Sequence, residues 1–251
     1  MNQTRALFLE NSYLFAMLCR VQATGTDEHG NYILLDQSIF YPQGGGQPND
    51  HGYISYDRNE IKIVAAKYTD TGICHYLETA VPEDLVNTEI AMHIFQDSRR
   101  RNAAYHTAGH WLSQLVLENM QLPLFPIKGH HFPGEAYIEF EGDINCITPD
   151  TIDQMRMAMM IDLQSSPKIK VQLAEAGSKL FESALLPKNF KPPVNKPLRF
   201  TQIEGYKWLP CGGTHVEALR EIKSVMPTEF HVKNGKLRLK YSCEMWETVA
   251  D

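Results

Sequence analysis

Through the first part of the chain, short runs of β-branched and aromatic residues are interrupted by polar turn clusters. Tyr32-Ile33-Leu34-Leu35, Tyr53-Ile54-Ser55-Tyr56, Ile61-Lys62-Ile63-Val64-Ala65-Ala66 and Ile73-Cys74-His75-Tyr76-Leu77 are set apart by Asp27-Glu28-His29-Gly30, Asp57-Arg58-Asn59 and Asp70-Thr71-Gly72. Many short strands at close spacing predict a small barrel or sandwich. Pro82-Glu83-Asp84 reads as a loop, and helical spacing takes over near residue 97. A boundary is expected there, with residues 1–92 forming an N-terminal β-barrel-like domain and residues 93–251 a second domain.

The second region mixes periods. Residues 103–117 read as a helix, with Leu112, Leu115 and Val116 at helical apolar spacing. Leu122-Pro123-Leu124-Phe125-Pro126 breaks the chain, and Ala136-Tyr137-Ile138-Glu139-Phe140 alternates as a strand does. A second helix is expected to open with Thr148 as N-cap and Pro149 in first helical position, then run through Ile152, Met155, Met159 and Leu163. The methionines at 155, 157, 159 and 160 read as core filler. A strand over 168–173, a short helix over 175–185 and an irregular Pro-rich loop over 187–197 follow. A final hairpin, 228–232 and 236–241, turns at Asn234-Gly235. Strand and helix without regular βαβ alternation predict an α+β class.

Three stretches invite chemistry. In Phe40-Tyr41-Pro42-Gln43-Gly44-Gly45-Gly46-Gln47-Pro48, three successive glycines remove side chains. They allow close approach of a ligand or neighbouring element, or simply close a tight turn between strands. The spacing matches no phosphate-binding glycine motif, so no nucleotide loop is assigned. In His106-Thr107-Ala108-Gly109-His110 the two histidines stand four apart on the predicted helix, on one face, where both can reach one ion. Cys211-Gly212-Gly213-Thr214-His215 places a thiol and an imidazole around a Gly-Gly turn that can fold both onto the same ion. Three imidazoles and one thiol suit zinc better than a hard cation such as magnesium. Ligand identity alone leaves a catalytic and a closed structural site both open.

The chain of 251 residues, 43% hydrophobic, can fill one large domain or two modest ones. It contains no apolar run of signal-peptide or membrane-spanning length, so a cytoplasmic protein without membrane contact is expected. The five scattered cysteines do not suggest a disulfide framework, and all but Cys211 read as small buried apolar residues. A formal charge of -6 argues against a binder that relies on global attraction to phosphate. Local basic runs remain: Lys188, Lys191, Lys196 and Arg199; Lys233, Lys236, Arg238 and Lys240; and Arg99, Arg100 and Arg101. Each alone is an ordinary solvated surface, but three runs flanking the ligand pairs suggest an anionic polymer near the metal.

Taken in order, the stretch from Leu35 through the triple glycine to Gly52, then Asp97, Arg100, the two ligand motifs and Glu221-Ile222, resembles the alanyl-tRNA editing proteins. These are the free-standing AlaX family, here in its medium-length form, and the matching editing domain of alanyl-tRNA synthetases. The resemblance covers nearly the whole chain. Threonyl-tRNA synthetases carry a related domain with a similar ligand set, but the glycine stretch points to the alanyl branch. The resemblance implies a small N-terminal β domain and a C-terminal α+β zinc-binding editing domain. It also implies hydrolysis of the ester that wrongly joins serine or glycine to the acceptor end of alanine tRNA. Without an aminoacylation domain, the protein would act in trans on mischarged alanine tRNA.

On this reading His106, His110, Cys211 and His215 hold Zn2+ and form the catalytic centre. An aminoacyl ester is already activated, so the site need only position water, polarise a carbonyl and stabilise an oxyanion. Position 107 is threonine rather than the glutamate of His-Glu-x-x-His, which argues against a peptidase. Substrate contacts are expected from Ser38, Gly44, Gly45, Gly46, Gln47, Thr214, Arg100 and Arg101. Ser38 stands where relatives tend to carry threonine, and Tyr105 where they carry arginine. Two further readings are a threonyl-type editor and a non-catalytic tRNA-binding protein whose zinc is structural.

Overall fold

The computed structural model of the chain describes residues 4–82, 84–188, 190–192 and 197–246. Two compact units, Met1–Arg100 and Arg101–Asp251, each enclose a core of their own. In the first, β1 (Arg5–Ala6) pairs in parallel with β4 (Gln37–Ser38). The remaining strands, β2 (Ala16–Asp27), β3 (Gly30–Leu35), β5 (Gly52–Tyr56), β6 (Asn59–Thr69), β7 (Gly72–Leu77) and β8 (Glu89–Ile94), close a six-stranded barrel in the order β2-β3-β7-β6-β5-β8. Closure leaves no unpaired edge. Alternate side chains fill its interior, among them Ile54, Ile61, Ile63, Ile90, Met92 and Ile94. Strands β2 and β8 lie outside the runs singled out from sequence. The apolar signal of β2 is diluted because only Cys19 and Val21 are fully buried along its length.

Helix α1 (Gln96–Gln114) carries the chain into the second unit and ends in a π-helical turn, Leu115–Asn119. There an antiparallel sheet is ordered β14-β15-β10-β9, built from β9 (Leu124–His130), β10 (Tyr137–Gly142), β14 (Ile222–Lys233) and β15 (Lys236–Met245). Helix α2 (Thr151–Ser165) precedes a smaller sheet of β11 (Ile169–Ala174), β12 (Leu198–Ile203) and β13 (Leu209–Pro210), with α3 (Lys179–Ser183) between β11 and β12. Ala104, Ala108, Trp111 and Leu112 of α1 share one core with Ile138 and Phe140 of β10, Leu237, Leu239 and Tyr241 of β15, and Met155 and Met159 of α2. The chain is thus of mixed α and β structure, with helices packed on a sheet.

Several local expectations are corrected. Thr148 is not the N-cap of α2: its N–H donates to Thr151 Oγ1 at 2.8 Å, and this turn holds residues 148–150 out of a helix that begins at Thr151. The methionines divide by helical period, Met155 and Met159 entering the core while Met157 and Met160 are 59% and 64% exposed. The helix expected over 175–185 shrinks to α3, because Gly177 takes a left-handed φ of 80° and Ser178 caps the Phe181 N–H. The Pro-rich break expected over 122–126 covers only residues 122 and 123, because β9 begins at Leu124. Pro126 lies opposite Phe140 on an edge strand, beside a shift of register between Glu139 and Phe140, the setting in which a strand tolerates proline. The final hairpin turns at Asn234 and Gly235, with φ of 53° and 73°, but its strands are longer than expected. Among the described residues, no helix is long and apolar enough to cross a membrane.

Candidate metal centre

Helix α1 presents His106 and His110 on one face, and the turn after β13 brings Cys211 and His215 to meet them. The ligand atoms of the four all lie within 4.8 Å of one another. His106 Nε2 is 3.1 Å from His110 Nε2, and Cys211 Sγ is 3.5 Å from His106 Nε2 and 3.2 Å from His215 Nε2. Burial, and then the neighbouring imidazoles and the Arg199 guanidinium, hold His106 and His215 well below the usual range. His110 is pushed down to about 4 by burial and then by Arg199. Neutral imidazoles keep a lone pair each, the form that a cation requires. Burial raises the Cys211 thiol, against the opposing pull of the Gly213 N–H and Arg199. By its chemistry and convergence this donor set could hold a metal ion.

Surrounding groups fix the ligands in place. Thr107 Oγ1 donates to Ala103 O at 2.8 Å, so its single proton is committed and the contact with His215 Nδ1, at 3.0 Å, places the proton on that nitrogen. The lone pair of His215 is then on Nε2, toward Cys211. The Val216 N–H also donates to Thr107 Oγ1, at 3.3 Å, which ties the turn to the helix. Gly213 N–H donates to Cys211 Sγ at 3.3 Å. Arg199, which the sequence placed in a basic surface run, is buried and donates to Cys211 O at 2.7 Å and Gly213 O at 3.0 Å. It cradles the turn from within.

One further residue escaped the sequence reading. His131, 4% exposed, stacks on His106 with ring centroids 4.8 Å apart and planes 16° apart. Two signals could have found it: the doublet His130-His131, and Gly109, a glycine inside a helix, where only close approach of another group explains a residue that weakens the element. A Cβ at Gly109 would stand 2.2 Å from His131 Cε1.

The other expected site residues are distributed between the two units. In the first, Gly45 and Gly46 take left-handed φ of 53° and 79°. Reciprocal bonds between Gly44 and Gln47, at 3.2 and 2.8 Å, close the glycine stretch as a tight turn. Gln47 and Ser38 are fully buried. The Ser38 hydroxyl lies 2.7 Å from His75 Nε2 and accepts the Phe40 N–H at 3.1 Å. Arg100 lies over the Tyr13 ring, whereas Arg99 is buried against Asp50. In the second unit Arg101 is exposed on α1 and Thr214 is buried beside the ligands. Of the basic runs, Lys188 pairs with Glu141, Arg238 with Glu139 and Lys240 with Glu229, while Lys196 lies outside the described residues.

Comparison with known proteins agrees with this arrangement. The profile of the family described as tRNA synthetases class II (A) matches residues 14–99. The alanyl-tRNA editing protein AlaX-M of Pyrococcus horikoshii is 28% identical over 98% of this chain and 98% of its own length. That of Methanosarcina mazei is 27% identical over 95% of each chain. The alanine–tRNA ligase of Picrophilus torridus is 24% identical over 89% of this chain, which spans 26% of the ligase. Over nearly its whole length, with both ligand pairs converging in space, the chain is therefore similar to the alanyl-tRNA editing proteins of the AlaX-M type.

Proposed function

We propose that this protein is an alanyl-tRNA editing hydrolase, acting in trans in the cytoplasm to remove serine, and glycine, from mischarged alanine tRNA. Its proposed cofactor is Zn2+, held by His106, His110, Cys211 and His215. The observation that carries the reading is the convergence of these four donors in a chain similar from end to end to AlaX-M proteins. When bound, zinc supplies Lewis-acid polarisation of an ester carbonyl and acidification of a water molecule.

The chain's own residues supply the rest. Thr107 sets the proton of His215 on Nδ1, and Arg199 with the Gly213 N–H holds the Cys211 turn in shape. Neutral, buried imidazoles exclude bulk water from the back of the site, which strengthens any polar contact to the substrate there. Among the proposed substrate contacts, Gly45 and Arg101 are exposed, which supports a role for each in direct contact with phosphate or the terminal nucleoside. Ser38, Gln47 and Thr214 are fully buried and act by holding the backbone around them.

A second reading draws on the same donors: four protein ligands fill a tetrahedral zinc and suit a structural ion. Single-turnover deacylation separates the two. Seryl-, glycyl- and alanyl-charged alanine tRNA, and seryl-charged threonine tRNA, are each incubated with and without a zinc chelator. Chelator-sensitive release of serine from alanine tRNA, with alanine spared, is expected. Release from threonine tRNA alone would move the protein to the threonyl branch, and no release would leave the structural ion.

A further inference from the structure

We infer that His131 and Tyr241 form a positioning device for the ligand imidazole of His106, setting its ring plane from behind. This rests on the metal reading above. The near-parallel stack, 4.8 Å between centroids, limits rotation of the His106 ring about its Cβ–Cγ bond. His131 is itself anchored. Its Nδ1 lies 2.7 Å from the Tyr241 hydroxyl, and that hydroxyl donates to the Tyr105 carbonyl at 2.9 Å. Since Tyr241 has one proton and gives it to Tyr105, His131 must donate from Nδ1. Tyr105 directly precedes His106, so the path runs from the ligand ring through His131 and Tyr241 back to the same helical turn.

The packing around His131 argues that this geometry is specific. Gly109 lies beneath Cε1 and Nδ1, where an added Cβ would stand at 2.2 and 2.4 Å, and Gly129 lies beside Nε2, where a Cβ would stand at 2.2 Å. Two glycines on different elements, one of them inside a helix, leave room for a single ring. A buried polar ring with no role beyond filling space would be replaced at lower desolvation cost by an aliphatic side chain. Nor is His131 a fifth donor. Its centroid is 6.4 Å from that of His110, whereas the rings of His106 and His215 lie at 4.8 and 4.9 Å from it.

The test uses the full-length protein and cobalt(II) as a probe of ligand geometry, with zinc affinity from chelator competition. The variants are His131→Phe, which keeps a stacking ring but loses the Nδ1 donor, Tyr241→Phe, which loses one hydroxyl, and their combination. Each single variant is expected to shift the cobalt d–d absorption bands and to weaken zinc binding on the order of 10-fold, as loss of a ligand-orienting partner does. The double variant should lose little more than either single one, because both act along one path. Unchanged bands and affinity in both single variants would overturn the inference, as would a loss of thermal stability in the metal-free protein with affinity untouched. A wild-type protein that binds no cobalt would instead overturn the metal reading beneath it. Where His131→Phe fails to fold by circular dichroism, Tyr241→Phe decides alone.

Discussion

Asp50→Ala should destabilise the first unit more than any other single substitution near the glycine turn. Asp50 and Arg99 have side chains 0% and 1% exposed, and form a bidentate pair in which Arg99 Nε lies 2.9 and 3.1 Å from the two carboxylate oxygens. Arg99 also donates to Ser12 O at 2.9 Å and Ile39 O at 2.5 Å, so the guanidinium is locked where it is and cannot swing into water. Asp50 in turn accepts the Tyr41 N–H at 2.6 Å. Removing the carboxylate strands a buried cation, at a cost of about 3–5 kcal/mol. The orphaned Tyr41 amide adds about 1 kcal/mol or more. Against a total stability of about 5–15 kcal/mol, that brings the barrel near its unfolding threshold. Urea unfolding followed by circular dichroism measures it. With a slope of about 2 kcal/mol per molar, the midpoint of the barrel's transition falls by about 2–3 M. Native-state hydrogen exchange at the Tyr41 amide gives an independent local readout. Arg99→Met placed on Asp50→Ala should restore part of the loss, since no charge is then left buried without its partner. A midpoint shift of less than about 0.5 M, or a double variant weaker than the single one, would refute the argument.

Three further outcomes follow from the same contacts. Burial pushes His75 down to about 4 from an ordinary 6.5, so as pH falls from 6.5 to 4 the unfolded chain takes up a proton that the folded one refuses. The resulting loss, about 3 kcal/mol and complete near pH 4, should be missing from the unfolding profile of His75→Gln; profiles of equal slope in the two proteins would contradict it. Gly109→Ala, which in an ordinary helix stabilises by about 0.5–1 kcal/mol, should here destabilise by a net of about 1 kcal/mol or more through its clash with His131, read as a lowered thermal midpoint. A raised midpoint would show that the ring yields freely. Thr107→Val removes the acceptor for the His215 Nδ1 proton, and chelator competition should register zinc binding weaker by about 10-fold, with an unaltered constant counting against the tautomer assignment.

What could be read from sequence was whatever depends on short-range geometry. His106 and His110 meet because a helix repeats every turn, and Cys211 and His215 meet because two glycines let a short turn close; neither needs knowledge of the rest of the chain. His131 escaped for the converse reason, since it meets His106 only after the chain has turned back through β9, a contact that no local spacing encodes, and its traces in sequence are the His130-His131 doublet and Gly109, on which its ring packs. Arg99 and Arg199 were read among surface charges because a guanidinium in a basic run looks the same in sequence whether it faces water or is spent on Asp50 or on the carbonyls of the Cys211 turn. Pro126 misled for a third reason: a strand tolerates proline at an edge or at an irregularity of register, and β9 offers both. The barrel was legible where buried apolar positions follow closely on one another, as in β7, and obscured where they are few along a long strand, as in β2.

The separation of the two donor pairs sets an order of events in the making of this protein. Cys211 follows His106 by 105 residues. At ribosomal rates of about 5–20 residues per second, the helix pair exists for about 5–20 s before its partners have been polymerised. During that interval only the imidazole pair of this four-donor site exists, a weak and unselective grip. A chain interrupted before residue 211 never acquires more. Uptake of an ion by all four donors would therefore mark a second unit that has been synthesised through its turn and has folded that turn onto the helix, so that metal content, measured on a purified preparation, would distinguish finished molecules from truncated or misassembled ones.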